Sequence, residues 1–542
     1  MKTNVVPRRS LAVFAAISLA QPASFLTRAT VESGAVAPLA VTKIQDPSAV
    51  EPWGVAGLAF GGRVAVANYV SDNVTVINTA DNSFQNVALF DPRACATCGP
   101  PLGPLGVVFR QDGERIYVTL FGSNVIPSKE FPIDYAAVLG GRVAVLTKQE
   151  NGTYAQTSLV GVGKGPRIPT IVGPKLFVPC SGDNRVDVID TGSEQKIAEI
   201  PVGKEPSSCV ASLDLSKVYV TNFGDGTISV INPRTNQRVK DIPAPRVTIP
   251  SPVGSTLPPA MPLLTHPWSG AVSGVNGNLY VAYWGTVGDV FPNGAIAVFD
   301  TCRDEFVRAM LDDQTRGTPP GSPGATGIPA PTAPLTKDAT GKTPGAGGGG
   351  GGPFGVASCP PDPQFLPSVL FTNDGIGIAG AIDTRIDQII PIPPIAGATC
   401  PKPRGVACAN VGSSPPSGAP LLIPFTYVAC GQPDNSVLVF RAPEVRGNYE
   451  DLVYASISGN TLRIEGNGFR PGVHIELSVD GKFNCLSFVR EPKIKKGGTL
   501  LVQKGKLSDG SKLGDDENER ALIRLVDPDG TVRLLVGVGR NP

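Results

Sequence analysis

The side chains able to do chemistry or recognise a ligand are sparse in this sequence, and most of them stand in one repeated position. Trp53, Leu105, Arg167, Ser207, Trp268, Phe354 and Arg404 each follow directly on a proline that opens a short apolar run. Aromatic faces and guanidiniums gathered at one concave place suit a carbohydrate, an aromatic acid or an anionic peptide terminus. The same aromatics also serve simple packing between neighbouring elements. His266, one of two histidines, stands two residues before Trp268. An imidazole can act as a general base near neutral pH, yet no carboxylate cluster accompanies His266 in the sequence, and a structural use is expected. Asp72-Asn73, Asp183-Asn184, Asp225-Gly226 and Asp434-Asn435 resemble acidic metal-ligand repeats. Hairpin turns explain them better, because Asp, Asn and Gly tolerate left-handed backbone, whereas calcium needs several loops converging on one ion. No metal ligand and no cofactor is assigned.

The elements that must position these residues are short strands. Glu51-Pro52, Gly103-Pro104, Gly165-Pro166, Glu205-Pro206, His266-Pro267, Gly352-Pro353 and Lys402-Pro403 open seven similar segments. In the clearest, Cys209-Val210-Ala211 starts a strand, Lys217 to Asn222 alternates as a half-buried strand does, and Thr227 to Asn232 and Gln237 to Ile242 follow after Gly- and Asn-containing turns. Four antiparallel strands in about forty residues make one propeller blade, and a blade buries its sheet only by stacking on others around an axis. The expected fold is therefore all-β, a seven-bladed β-propeller over residues 36–445, with Leu39 to Gln45 supplying the outer strand of the last blade. Tyr219-Val220-Thr221-Asn222 and the run Thr227 to Asn232 resemble the YVTN family of β-propeller repeats; Val64 to Asn68, Leu176 to Cys180 and Leu279 to Tyr283 are similar segments. That resemblance implies the fold and leaves activity open.

In such a ring the residues after the seven prolines surround one channel mouth. Trp53, Arg167, Trp268, Phe354 and Arg404 are the candidate ligand-binding residues, expected to face solvent there. The loops between second and third strands open on the same face and carry Tyr69, Phe121, Phe223 and Trp284.

Composition narrows the setting. Gly 64 and Pro 54 in 542 residues, with 17% charged, favour turns over long helices. Lys and Arg total 47 against 46 Asp and Glu, so no net field draws the chain to nucleic acid or anionic lipid. Lys2, Arg8 and Arg9 followed by Leu11 to Ala20 read as a signal peptide within residues 1–29, too short for a stable bilayer span. Arg8-Arg9-Ser10-Leu11 resembles a twin-arginine signal but lacks its Ser-Arg-Arg and its aromatic, which favours ordinary secretion. The mature protein is expected to be secreted, periplasmic or at the cell surface.

Ten cysteines fit an oxidising compartment. Zinc is a poor alternative, since Cys95-Ala96-Thr97-Cys98 has no second C-x-x-C, and Gly99 stands where covalent haem attachment needs His. Closeness along the chain or on adjacent blades suggests Cys95 with Cys98, Cys180 with Cys209, two among Cys400, Cys408 and Cys430, and Cys302 with Cys359, leaving Cys485 alone.

Residues 313–353 are dominated by Gly, Pro, Ala and Thr and read as a disordered insertion between blades five and six. From Tyr454 the runs Ser456 to Glu465, Gly466-Asn467-Gly468-Phe469 and Ile475 to Val479, with Val526-Asp527-Pro528-Asp529-Gly530 later, resemble the IPT/TIG immunoglobulin-like family. Turn signals every eight to twelve residues support a small sandwich over residues 449–542 independently. The functional reading is a non-enzymatic binding scaffold whose unknown ligand, anionic or carbohydrate, or protein partner sits at the channel mouth. A propeller lyase or lactonase using His266 or a bound divalent metal is the alternative, and a structural envelope or surface-layer component a third.

Overall fold

The computed structural model describes residues 41–58, 62–93, 102–122, 133–247, 263–286, 294–311, 353–359, 368–373, 378–384, 388–390, 400–413, 421–441, 454–512 and 521–538, a few single positions and short turns excepted. The expected signal peptide, Cys95, Cys98 and the insertion up to residue 352 lie outside these. Regular structure among the described residues is β apart from short 3-10 turns such as Ser181–Asp183.

Nine four-stranded antiparallel sheets form among the described residues. Seven follow one another along the chain, their first strands beginning at Pro52, Pro104, Thr170, Pro206, Leu264, Pro353 and Pro403; they are numbered one to seven in that order. Sheet four is typical, with Pro206–Ala211, Val218–Asn222, Ile228–Asn232 and Gln237–Ile242 side by side in chain order. Its second strand is buried throughout, because successive side chains point to opposite faces and both faces are covered. Val218 and Val220 pack on sheet three, while Tyr219 between them packs on sheet five. The fourth strand is the outer edge and exposes all but Ile242; a bulge at Val230/Ile231 breaks its pairing, a common means of blunting a sheet edge.

The motif Tyr219-Val220-Thr221-Asn222 ties one sheet to the next. The Tyr219 hydroxyl donates to Asp304 Oδ1 of sheet five at 2.6 Å, and Thr221 Oγ1 reaches the Trp268 carbonyl of sheet five at 3.2 Å. Asn222 Nδ2 donates to Thr227 Oγ1 and Ser229 Oγ, each at 2.9 Å, and braces the hairpin that follows. The Asp/Asn/Gly pairs prove to be hairpin residues, with positive φ at Asp72, Asn184, Gly226 and Asn435.

The first strands approach one another closely. A Cβ on Gly54 of sheet one would lie 2.1 Å from the Leu105 carbonyl of sheet two, and one on Gly405 of sheet seven 2.3 Å from the Trp53 carbonyl of sheet one. Gly106 and Gly355 meet the carbonyls of Arg167 and Arg404 in the same register. Elsewhere hydrogen bonds make the junction: Cys209 N to Ile168 O at 2.9 Å, Ser207 Oγ to Pro267 O at 2.8 Å, and Ser269 Oγ to the Phe354 carbonyl. Each junction leads to the next sheet and the last returns to the first, which is the ring of a β-propeller. Val41–Ile44 completes sheet seven, pairing antiparallel with its outer side from Val41↔Phe440 to Ile44↔Val437, and Ile44, Tyr427 and Val439 pack on Val64 and Val66 of sheet one.

The two remaining sheets, from Tyr454 onward, enclose their own core of Leu462, Ile464, Leu477, Leu501, Ile523 and Leu525. This sandwich is fixed to sheets four and five. Arg524 donates from Nη1 and Nη2 to the two carboxylate oxygens of Asp300 at 3.1 and 3.0 Å, and Arg303 pairs with Glu476. Burial acts to raise the Asp300 carboxyl, but the guanidiniums of Arg524 and Arg303 hold it below the usual carboxylate range. Ser478 Oγ donates to Asp214, and Lys217 Nζ lies 5.0 Å from the Phe483 ring centroid.

The cysteines depart from expectation. Cys302 joins Cys485, stapling sheet five to the sandwich, and Cys359 joins Cys408 across sheets six and seven. Cys400 pairs with Cys430, the expected bridge within the last blade. Cys180 and Cys209 are free and buried. They point into different layers: Cys180 lies with Tyr117 and Leu176 between sheets two and three, Cys209 with Phe177 and Val218 between sheets three and four. Sheet three separates them, and burial pushes both thiols well above their ordinary pKa. The described disulfides suit an oxidising compartment, and among the described residues no helix is long and apolar enough to cross a membrane.

Two outcomes are expected. Deleting residues 36–46 should lower the calorimetric melting temperature by several degrees, since it bares the outer side of sheet seven; an unchanged melt would show that the added strand contributes nothing. Non-reducing peptide mapping should recover Cys302–Cys485, Cys359–Cys408 and Cys400–Cys430, with Cys180 and Cys209 alkylated only after denaturation.

Candidate functional site

The residues before and after each opening proline build the site. At Glu51, Gly103, Gly165, Glu205 and His266 φ lies between 48° and 60°, a left-handed conformation costing roughly 1–2 kcal/mol for a residue with a Cβ. It aims the carbonyl back into its own sheet: Tyr69 N, Phe121 N, Ser181 N and Phe223 N donate to the carbonyls of Glu51, Gly103, Gly165 and Glu205 at 2.9–3.1 Å. This turn fixes the residue after the proline on one side of the ring and, beside it, the residue that ends the second strand.

The side chains so placed converge. Trp53, Tyr69, Leu105, Phe121, Phe223, Trp268, Trp284 and Phe354 form one buried cluster contributed by sheets one, two, four, five and six. Trp268 stacks on Trp284 at 4.8 Å and packs on Phe354 at 5.0 Å, and Phe354 meets Trp53 edge-on at 5.3 Å. Arg167 and Arg404 enter the cluster from sheets three and seven. The Arg167 guanidinium lies 4.7 Å from the Trp268 ring, 5.6 Å from Phe223 and 5.9 Å from Phe121. That of Arg404 lies 4.5 Å from Trp53 and 5.3 Å from Phe354. The shared register therefore brings together all five expected residues. Their exposure differs from expectation: Trp53, Arg167, Trp268, Phe354 and Arg404 are each no more than 2% exposed, because the aromatics fill the mouth in place of lining an open one. Ile133 and Val138 complete the cover, with Tyr135 at its edge. They come from the connection between the second and third strands of sheet two, Arg115–Leu120 and Arg142–Lys148.

The two arginines differ in electrostatics. Arg404 Nη2 donates to Glu51 Oε1 at 3.2 Å, and the other Glu51 oxygen accepts from Gln432 N at 2.9 Å. Both partners are 1% exposed, so this is a buried ion pair across the closing junction of the ring. Arg167 Nη2 donates to the Tyr135 hydroxyl at 2.9 Å, while its Nε and Nη1 are buried without a partner. Among the described residues no carboxylate pairs with it. The indole Nε1 atoms of Trp53 and Trp268 are likewise buried and unpaired.

His266 occupies the turn register of Glu51 and Glu205; it is exposed, with its ring 4.7 Å from Phe223. Among the described residues no group of three or more His, Cys, Asp or Glu is placed to hold a metal ion.

The Glu51–Arg404 pair generates a test. Removing one member of a buried pair typically costs about 3–5 kcal/mol, whereas replacing both by apolar groups of similar volume is far milder. Glu51→Leu should therefore lose about that much in denaturant-induced unfolding, and the double variant Glu51→Leu with Arg404→Met should regain most of it. Strictly additive losses would show that the two side chains do not act as a pair.

No known family profile matches the chain, and no curated protein matches it. Among solved structures it is similar to Kuenenia stuttgartiensis hydrazine synthase, at 15% identity over 77% of this chain and 100% of that one, with a TM-score of 0.48. It is also similar to a streptogramin B lyase, at 12% identity over 74% of this chain and 98% of that one, with a TM-score of 0.44.

Proposed function

We propose that the chain is an exported binding scaffold: a seven-bladed β-propeller of the YVTN kind, closed by its own N-terminal strand and followed by a small IPT/TIG-like immunoglobulin domain. It holds a ligand or protein partner at the channel mouth. Seven proline-opened segments matching seven consecutive four-stranded sheets support the blade count. Two four-stranded sheets over one core support the immunoglobulin-like tail. Three disulfides among the described residues support export.

The observation that carries the binding role is the set of buried donors left without partners where the sheets meet, on Arg167, Trp53 and Trp268. Buried polar groups are normally satisfied, and a site that leaves several open at one place is built to be completed by something else. The described contacts of the tail with the ring lie away from this place. The tail is anchored at Asp214, Lys217, Asp300 and Cys302, in turns after first and third strands, and antiparallel connectivity puts those turns at the opposite end of each sheet from the mouth.

All three tryptophans of the chain, Trp53, Trp268 and Trp284, belong to the mouth cluster. Intrinsic tryptophan emission therefore reports on this site alone. A panel of small organic acids, oligosaccharides and peptides should contain a class that raises the melting temperature and changes the emission saturably, and Trp268→Phe should weaken that binding at least tenfold. Ligands that stabilise the protein and leave the emission untouched would place the site elsewhere.

A further inference from the structure

We infer that the mouth holds a small monovalent anion, a monocarboxylate or a halide, on Arg167, and that this anion is the missing counter-charge of a buried guanidinium. The inference rests on the mouth-binding reading above and narrows it to a ligand class and a residue.

Charge balance comes first. A guanidinium stays protonated in proteins, so Arg167 carries its charge at 0% exposure. Taking such an ion out of water is strongly unfavourable unless a partner compensates it. Arg404 has its partner in Glu51. Arg167 has three aromatic faces, whose quadrupoles attract a cation, and one neutral hydroxyl, that of Tyr135. Neither contributes a negative charge, and among the described residues Nε and Nη1 have no acceptor. One uncompensated positive charge calls for one negative charge; a dianion would leave the aromatic cluster with a net charge again.

Hydrogen-bond polarity comes second. The unpaired atoms of Arg167 and of Trp268, whose ring lies 4.7 Å from its guanidinium, are all N–H donors. A ligand matched to them is an acceptor without donors of its own, which describes a carboxylate or a halide. It does not describe a sugar, whose hydroxyls donate as well as accept and would need acceptors in the lining. Access comes third. Tyr135 is the half-buried member of the surroundings of Arg167. Its backbone carbonyl accepts from Lys164 Nζ at 3.3 Å, and its hydroxyl caps the guanidinium, so this ring, partly open to solvent, is in direct contact with Arg167.

The test uses the full chain, dialysed into sodium sulfate buffer of fixed ionic strength, with sodium acetate or sodium bromide exchanged in at constant ionic strength. A saturable rise in melting temperature and a saturable change in tryptophan emission are expected with acetate, bromide or both, the two arms separating carboxylate from halide. In Arg167→Met the charge is replaced by an apolar chain of similar length. That variant should melt independently of either anion, and in sulfate no lower than the unsubstituted protein. Should it fail to fold, bromide soaked into crystals of the unsubstituted protein provides the second measurement: an anomalous peak within hydrogen-bond distance of Arg167 Nε or Nη1 upholds the inference. No response to either anion beyond the sulfate control, an undiminished response in Arg167→Met, or no anomalous peak at Arg167 from bromide or, where acetate alone responds, from a bromine-substituted monocarboxylate would overturn it. A neutral ligand that changes the emission in the same assay would then leave the mouth-binding reading standing; silence to every ligand class would remove both.

Discussion

The contact on which the rest of this molecule depends is the approach of one innermost strand to the next. At each junction a backbone carbonyl from the start of one first strand, or the residue beside it, meets the neighbouring sheet at a distance that excludes a side chain or demands a hydroxyl or amide donor. Gly54, Gly106, Gly355 and Gly405 satisfy the first condition; Ser207, Thr221 and Ser269 satisfy the second with their Oγ atoms. The side chains after the prolines, which sit just beyond the contact, are consequently driven together into one cluster.

Packing so many large side chains at one point creates an electrostatic problem that is handled differently at its two arginines. Glu51 answers for Arg404 and does so from a left-handed backbone position, φ 54°, that glycine occupies in sheets two and three. The conformational cost at Glu51 is accepted because only a carboxylate in that turn reaches across the closing junction to Arg404 and Gln432 N. The corresponding turn residue before Arg167 is Gly165, which has no side chain to offer. A Cβ there would meet Tyr135 at 2.9 Å and Phe121 at 3.2 Å, so the covering aromatics occupy the space that a carboxylate side chain would need. The uncompensated charge of Arg167 follows from that crowding.

How much of this was legible in the sequence depends on whether the determining interaction is local. The register was readable, since a proline fixes φ and recurs at or near the start of each first strand, and Val/Ile alternation gave the strands. The hairpin pairs Asp72-Asn73 and Asp434-Asn435 were readable for the same reason, as left-handed turns choose among few residues. Exposure of Trp53, Arg167 and Trp268 was not, because it depends on side chains brought from five sheets and on Ile133 and Val138 from an insertion without a pattern. Pairing of Cys180 with Cys209 failed on a property of strands themselves. Adjacent sheets bring the backbones near, but side-chain alternation decides which face each sulfur joins, and here the faces differ. Cys485 looked alone because its partner, Cys302, belongs to another sheet system 183 residues away; its solitude in the tail was itself the available hint of a bridge to the ring.

The placement of the tail connects these features. Its anchors Asp214, Asp300 and Cys302 sit on sheets four and five, and so do Phe223, Trp268 and Trp284 at the mouth. The same two sheets therefore carry the tail at one end and a large share of the aromatic cluster at the other. Tyr219 spans part of the distance, with its backbone in the second strand of sheet four and its hydroxyl on Asp304 beside the anchoring turn, while Lys217 joins that same carboxylate at 2.8 Å and rests on Phe483 of the tail. An ion pair at 3% and 1% side-chain exposure cannot slide without leaving a buried charge exposed to an apolar surrounding. Sheets four and five are thus held to each other by the interactions that also hold the tail. With a covalent bridge added at Cys302, the sandwich acts as a clamp on the edge of the ring opposite the mouth, stiffening the two sheets whose aromatic side chains frame Arg167.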